Sequence, residues 1–402
     1  MIRPERRTRA DLATVGLITV AVLLVSAVIW WHSDVRATVS HPAAEPIAAV
    51  HPPDTVPTAL QEAWRAPSPA TPQPVVAGPA VVTAAEGEVL GRDPVTGEVH
   101  WRYARDLPLC TVGSEWQRAI AVYRTSHNCS EVTSLEGATG KRGPQRNSDV
   151  PFGTRLLSGG DYVTATGRGL FETWRSDLVR TQQYGVPHAP KNPDNNLERP
   201  ECEYSSIAVG RERVGVIEEC PRAPGDRITV LKAHPEDGAH PEEVLSTTLA
   251  GSNAGVVAVT ETRVAVALYD RSELVVYDAS GTVRGRFPLR ATQPPPPQGG
   301  VRIESTTGDR VIYWHTGGNT VALDPATLKP MWTVSGTLGS GTVVASKLLI
   351  PVPGGIAVHD PADGTRERLI SVDRRGYRGD LELGSAGGVL LEQRGNTLVA
   401  LR

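Results

Sequence analysis

Four cysteines, ten histidines and two glycine-flanked serines are the residues of this 402-residue chain best suited to specific chemistry. Cys110 and Cys129 are 19 residues apart, and Cys202 and Cys220 are 18 apart. Each pair brackets a predicted hairpin, so the partners would face each other across two antiparallel strands. An even count then favours disulfides in an oxidising compartment. Neither pair has the Cys-x-x-Cys spacing of a zinc or redox site. A serine nucleophile needs a Gly-x-Ser-x-Gly elbow. Leu338-Gly339-Ser340-Gly341 and Leu383-Gly384-Ser385-Ala386-Gly387 lack that spacing, and each opens a predicted strand, so both read as loop-start glycines. His234 and His240 share a polar loop with Glu236, Asp237, Glu242 and Glu243. These are donors for a divalent cation, but without the regular acidic spacing of a calcium loop they read as solvated charge. No phosphate loop is present. No catalytic, cofactor-binding or metal-binding residue is assigned.

The elements that would carry these residues are short and numerous. Glycine (40) and proline (33) are abundant and punctuate turns. Forty-one basic residues against 44 acidic ones leave a net charge of −3, which excludes a strongly basic nucleic-acid binder and a polyacidic disordered chain. Only 5 of the basic residues are Lys, a bias that points to a GC-rich genome.

A unit recurs with a period of about 44 residues. The best copies are Val89-Leu90-Gly91-Arg92-Asp93-Pro94-Val95-Thr96-Gly97-Glu98-Val99-His100-Trp101 and Thr320-Val321-Ala322-Leu323-Asp324-Pro325-Ala326-Thr327-Leu328-Lys329-Pro330-Met331-Trp332. Weaker copies carry Glu136, Asp278 and Asp360 at the turn position, and Asp177 and Asp237 mark the poorest matches. An apolar run is a buried strand. The acid then opens a tight turn, its carboxylate accepting backbone N–H groups, and Gly supplies positive φ. A second strand leaves, with Trp packed at its end. The chain stops at Asn396-Thr397-Leu398-Val399-Ala400-Leu401-Arg402, a unit without its outer strand. Residues 59–65 could supply that strand, because Trp64-Arg65 echoes Trp101-Arg102. Such a closure makes a ring in which the N-terminal strand completes the last sheet.

Leu12–Trp31 is a 20-residue run without a charge. At 1.5 Å per helical residue it spans roughly 30 Å, the thickness of a bilayer core. Arg3, Arg6, Arg7 and Arg9 precede it, which puts residues 1–11 in the cytoplasm and the rest outside. The alternative is a cleaved signal peptide with Val35-Arg36-Ala37 at the cleavage site, although the apolar run is longer than is usual for one. From His41 to Pro74 there are nine prolines and no glycine. Residues 32–58 therefore read as an extended, semi-rigid stalk, of which 37–59 could reach about 70 Å. Residues 59–402 form the remaining domain.

These repeats resemble the pyrroloquinoline-quinone-like β-propeller repeat: an apolar strand, Ala-Leu-Asp, a Thr-Gly turn and a Trp. The resemblance implies an all-β, eight-bladed β-propeller, with seven blades as the alternative because the unit from Leu156 to Gln183 is faint. It points to a membrane-anchored bacterial member, and the GC-rich composition to an actinobacterial one. The family includes quinoprotein dehydrogenases and non-enzymatic scaffolds. Quinone binding needs a tryptophan floor, an acidic base and cation ligands on the ring axis. Trp64, Trp101 and Trp332 occupy repeat-packing places instead, while Trp116, Trp174 and Trp314 are placed by no motif. The neighbouring cysteines of the dehydrogenases are also missing. The expectation is a non-enzymatic, protein-binding scaffold without a cofactor, held at the cytoplasmic membrane and presenting loops to another envelope protein. Those loops include Lys191-Asn192-Pro193-Asp194-Asn195-Asn196 and the run Pro294 to Pro297. The alternatives are a quinone- or metal-dependent oxidoreductase, or a receptor for sugar or peptidoglycan fragments in a central funnel.

Overall fold

The computed structural model describes residues 8–31, 33–187, 197–238, 240–289, 294–297, 299–308 and 310–402. The apolar run is helix Arg9–Trp31, and it opens on a capping box. The Thr8 hydroxyl accepts the Asp11 N–H at 3.2 Å, and the Asp11 carboxylate accepts the Thr8 N–H at 2.7 Å. The helix buries no residue against the rest of the chain. With a mean hydropathy of 2.7, its length and composition suit a membrane span or a signal anchor.

The remaining chain is all β, in eight antiparallel sheets among the described residues. Seven blades are consecutive: 75–104, 109–147, 156–185, 203–248, 254–288, 306–335 and 342–371. The eighth takes three strands from 382–401 and its outer strand, Glu62–Pro67, from the N-terminal side. Trp64 pairs with Ala400 and Pro67 with Thr397, so the ring closes between the two ends of the chain. First strands of neighbouring blades touch around the axis from blade 1 to blade 5, between blades 7 and 8, and between blades 8 and 1. The faint unit from Leu156 is a full blade, so the count is eight rather than seven.

The two middle strands of a blade are covered on both faces by the neighbouring blades, and their apolar residues do not alternate. Ala119–Tyr123 and Val264–Leu268 are buried throughout. Several outer strands face solvent on one side and alternate, as in Pro330–Ser335, whereas Arg180–Gly185 of blade 3 is buried beyond its first residue.

The proline-rich segment does not run as a free stalk. Val39–His41 adds a fifth, outermost strand to blade 1, with Val39 opposite Ala104. The chain then lies along the propeller. Ala43 and Ile47 donate to the carbonyls of Thr139 and Ala138, both at 2.9 Å, and Arg368 donates to the Val56 carbonyl at 2.7 Å. Prolines fix an extended backbone, but they do not stop interspersed apolar side chains from finding a core. Ile47, Val56 and Leu60 are all buried.

Candidate functional site: the loop face

Strand alternation divides the ring into two faces. One carries the short turns between strands 1 and 2 and between strands 3 and 4 of each blade. The other carries the turns between strands 2 and 3 and the blade-to-blade connections.

The turn face holds the repeat motif. Asp93 Oδ1 accepts the Val95 and Thr96 N–H groups, each at 2.8 Å, and Asp324 Oδ1 accepts the Thr327 N–H and hydroxyl, each at 2.7 Å. Asp278 accepts from the Ser280 hydroxyl, from the Thr282 N–H, from Arg284 and from the Ser280 N–H, which together hold its carboxyl far below the ordinary range. Asp360 accepts the Ala362 N–H and pairs with Lys347. Each motif tryptophan reaches into the turn of the next blade. Trp64 Nε1 donates to Pro94 O at 2.8 Å, Trp101 to Gly137 O at 2.7 Å, and Trp332 to Pro361 O at 3.2 Å. The rings lie over Gly97, Gly140 and Gly364, all at positive φ. A Cβ on Gly140 would sit 2.5 Å from Trp101 Cγ, so the ring requires glycine there. Two junctions invert the sizes. Eight residues past Glu136 stands Pro144, and eight past Asp278 stands Arg286. The turns facing them hold Leu178 (φ 59°) and Leu328 (φ 55°), both buried with side chains of the preceding blade. Leucine fills the space that tryptophan and glycine share elsewhere. These residues hold blades together.

The polar loop of blade 4 also lies on the turn face. His240 pairs with Asp237 at 2.7 Å, Glu242 with Lys232, and Glu243 with Arg199, while His234 stacks on Tyr162. No group of three His, Cys, Asp or Glu among the described residues could hold a metal ion.

The loop face is the elaborated one, and both disulfides staple it. Cys110–Cys129 ties the start of blade 2 to its 124–130 loop, with Cα atoms 6.1 Å apart. Cys202–Cys220 ties the entry of blade 4 to its 220–226 loop, with Cα atoms 4.3 Å apart. Beside the second disulfide is a cavity of about 460 Å³ lined by Glu201, Glu203, Glu219 and Asp226. Arg168 of blade 3 pairs with Glu203 at 2.6 Å. The loop 191–196 lies outside the described residues. Pro294, Pro296 and Pro297 are exposed on this face.

The connection from blade 5 to blade 6 enters the middle of the ring. Gly299 lies against Gly153 at the start of blade 3. Val301 is buried with Phe171, Tyr184 and Tyr204. The Arg302 N–H donates to Ser205 O at 2.8 Å, and its guanidinium donates to Ala254 O and Asn253 Oδ1, each at 2.8 Å. A parallel bridge between Ser206 and Arg302 makes the segment a short extra strand on the inner edge of blade 4. Glu304 is buried beneath it. It accepts from the Tyr269 hydroxyl at 2.6 Å and from Trp314 Nε1 at 2.9 Å, and burial pushes its pKa up to about 7. Ser305 then meets Ser340 at 3.4 Å. Burial raises the Glu382 pKa, against the Ser305 hydrogen bond and the Arg155 charge, and lowers that of Arg155 to about 10. Residues from blades 3, 6, 7 and 8 thus converge at the mouth of the channel. Ser340 is a buried member of this cluster, and Ser385 lies within the first strand of blade 8.

The unassigned tryptophans serve packing. Trp174 donates to the buried Glu172 at 2.8 Å, Trp314 donates to Glu304, and Trp116 lies in the turn after the first strand of blade 2, against the apolar cluster that also holds Trp174. They do not form a common floor. Sequence reasoning missed Arg155, Arg302, Glu304 and Glu382. The one signal for them was the length of the 289–305 connection.

Among solved structures the chain is similar to BamB from Moraxella catarrhalis, at 15% identity and a TM-score of 0.50, over 85% of this chain and 99% of that one. It is also similar to the computationally designed protein Ika8, at 13% identity and a TM-score of 0.54, over 89% of this chain and 99% of that one. The fold is an eight-bladed β-propeller. No family model and no curated protein matches the chain.

Proposed function

We propose that this chain is a single-pass, N-in protein of the cytoplasmic membrane whose extracytoplasmic propeller is a non-catalytic protein-binding scaffold in envelope assembly or transport. The observation that carries this reading is the loop face. Its long connections are stapled by two disulfides, and its centre is filled by the chain's own 299–305 segment. A rigid surface with a filled centre suits a broad partner better than a small molecule in a funnel. The disulfides suit an oxidising, extracytoplasmic compartment, and the N-terminal helix suits an anchor. The likeness to BamB fits a scaffold that works with other envelope proteins.

The test is crosslinking in intact cells followed by purification of the tagged protein and mass spectrometry. With only 5 lysines in the chain, a carboxylate-reactive reagent is run beside an amine-reactive one. The expected result is a reproducible envelope protein crosslinked to loop-face residues such as Glu201 or Glu219. Recovery of abundant bystanders alone with both reagents would overturn the scaffold reading.

A further inference from the structure

The docking of the proline-rich segment changes how far the propeller can stand from a membrane. The Arg36 guanidinium lies 3.6 Å from the centroid of the Trp31 ring and 5.5 Å from that of Trp30, at the end of the helix. If the helix spans a bilayer, these aromatic rings mark the interface, and the stacked arginine stands at headgroup level. Val39 is already part of blade 1, opposite Ala104. Two residues separate it from Arg36, and the three Cα-to-Cα steps reach about 11 Å even when fully extended. The propeller is therefore held at the lipid surface and not on a long stalk.

Strand direction says which part of the propeller is held there. The strand Val99–Ala104 starts at the Asp93 turn and ends on the loop face. Val39 therefore enters at the loop-face rim of blade 1. The connection after Ala104 ends at Pro108, whose carbonyl accepts the Arg124 N–H at 2.8 Å. Arg124 and the neighbouring Ser126 and His127 are exposed. The Arg124 guanidinium lies 4.3 Å from the ring centroid of Phe152, one of only three phenylalanines in the chain and 39% exposed. An exposed aromatic ring beside a guanidinium, on the same face as the point where the tether arrives, has the chemistry of a headgroup contact. The ring enters the interfacial layer and the cation meets lipid phosphate.

We infer that the propeller rests on the outer leaflet of the membrane through the loop face of blades 1 to 3, with Phe152 in the headgroup layer and Arg124 on lipid phosphates. This rests on the anchor reading given above. It restricts the partner to a protein embedded in, or lying on, the same membrane.

The test uses the full chain in nanodiscs of phosphatidylcholine and phosphatidylglycerol containing spin-labelled lipid. A fluorophore is placed by Phe152→Cys, by Ser126→Cys in the adjoining loop, or by Ala362→Cys on the turn face. The expected result is quenching at 152 and 126 several-fold stronger than at 362. Quenching at 152 and 126 no greater than at 362, in protein that co-elutes with the discs, would overturn the inference and leave the anchor reading intact. Protein that fails to co-elute with discs would overturn the anchor reading and the inference together. The Ser126→Cys site keeps the test decisive if the Phe152 variant does not fold.

Discussion

Replacing Trp101 with alanine tests the blade-to-blade docking directly. The indole is 1% exposed, donates to Gly137 O at 2.7 Å, and covers Gly140. Truncating a fully buried tryptophan costs about 3–5 kcal/mol through lost transfer energy and the cavity left behind. Unfolding entropy is about 2.1 cal/mol/K per residue, so a propeller of roughly 340 residues has about 0.7 kcal/mol/K, and each kcal/mol moves Tm by about 1.4 °C. The expected fall is therefore about 4–7 °C, read by differential scanning calorimetry on detergent-solubilised protein. The second half of the test is Gly140→Leu. In the native background its Cβ meets the indole and its φ of 70° is strained, so it destabilises. In the Trp101→Ala background the leucine enters the vacated space, as Leu178 and Leu328 do where no tryptophan faces them. The double variant is expected to melt above Trp101→Ala alone. Additive losses in the cycle would refute the claim that tryptophan and glycine occupy one shared volume.

Arg374 donates to the buried Glu392 at 2.8 Å and to the carbonyls of Val352 and Gly355, clipping blade 7 to blade 8; Arg394 still pairs with Glu392 when it is removed, so Arg374→Ala should cost about 1.5–3 kcal/mol in thermal unfolding, the worth of hydrogen bonds to a charged group. The Glu304 carboxyl ionises at about 7 when folded, against an ordinary 4.5, so its contribution is full below about 4.5 and is lost as the pH rises toward 7. Glu304→Gln should flatten that part of the profile of Tm against pH, and an unchanged profile would dismiss Glu304 as its source. Cys202→Ser with Cys220→Ser should lower stability by about 2–4 kcal/mol while leaving the membrane association of the chain unchanged in a flotation assay. N-terminal sequencing of the mature protein should find the helix retained; a start at Thr38 would show a cleaved signal instead, and would leave the Val39–His41 strand intact.

The ring was legible in the sequence because its information is local and repeated. Asp93, Gly97 and Trp101 stand at fixed offsets, and Trp332 stands at the same offset from Asp324. The missing outer strand was legible because the last unit stops at its turn. What was not legible depends on which distant residues meet. Composition makes 32–58 an extended segment, but nothing in it says that Ile47 has core partners in blades 1 and 2 or that Val56 has them some three hundred residues away. The inverted junctions were hidden for the same reason. Leu328 looks like a lapse from the turn pattern until it is seen against the blade that lacks a tryptophan. The channel mouth is built from single residues of four blades, with no spacing to betray it. The disulfides were readable because each one spans a single hairpin.

Closure by Glu62–Pro67 has a consequence in time. The partner strand, Thr397–Leu401, is synthesised after every other strand of the ring. At about 5–20 residues per second, some 340 residues take roughly 20–70 s to emerge. Throughout that interval the closing strand waits with an unpaired edge, and Trp64 can dock only on the neighbouring turn of blade 1. Contacts between residues so far apart form slowly even after synthesis ends. The nascent propeller is thus an open arc, prone to pairing with a second copy of itself, and its safe maturation depends on how long the first strand can be kept from other edges.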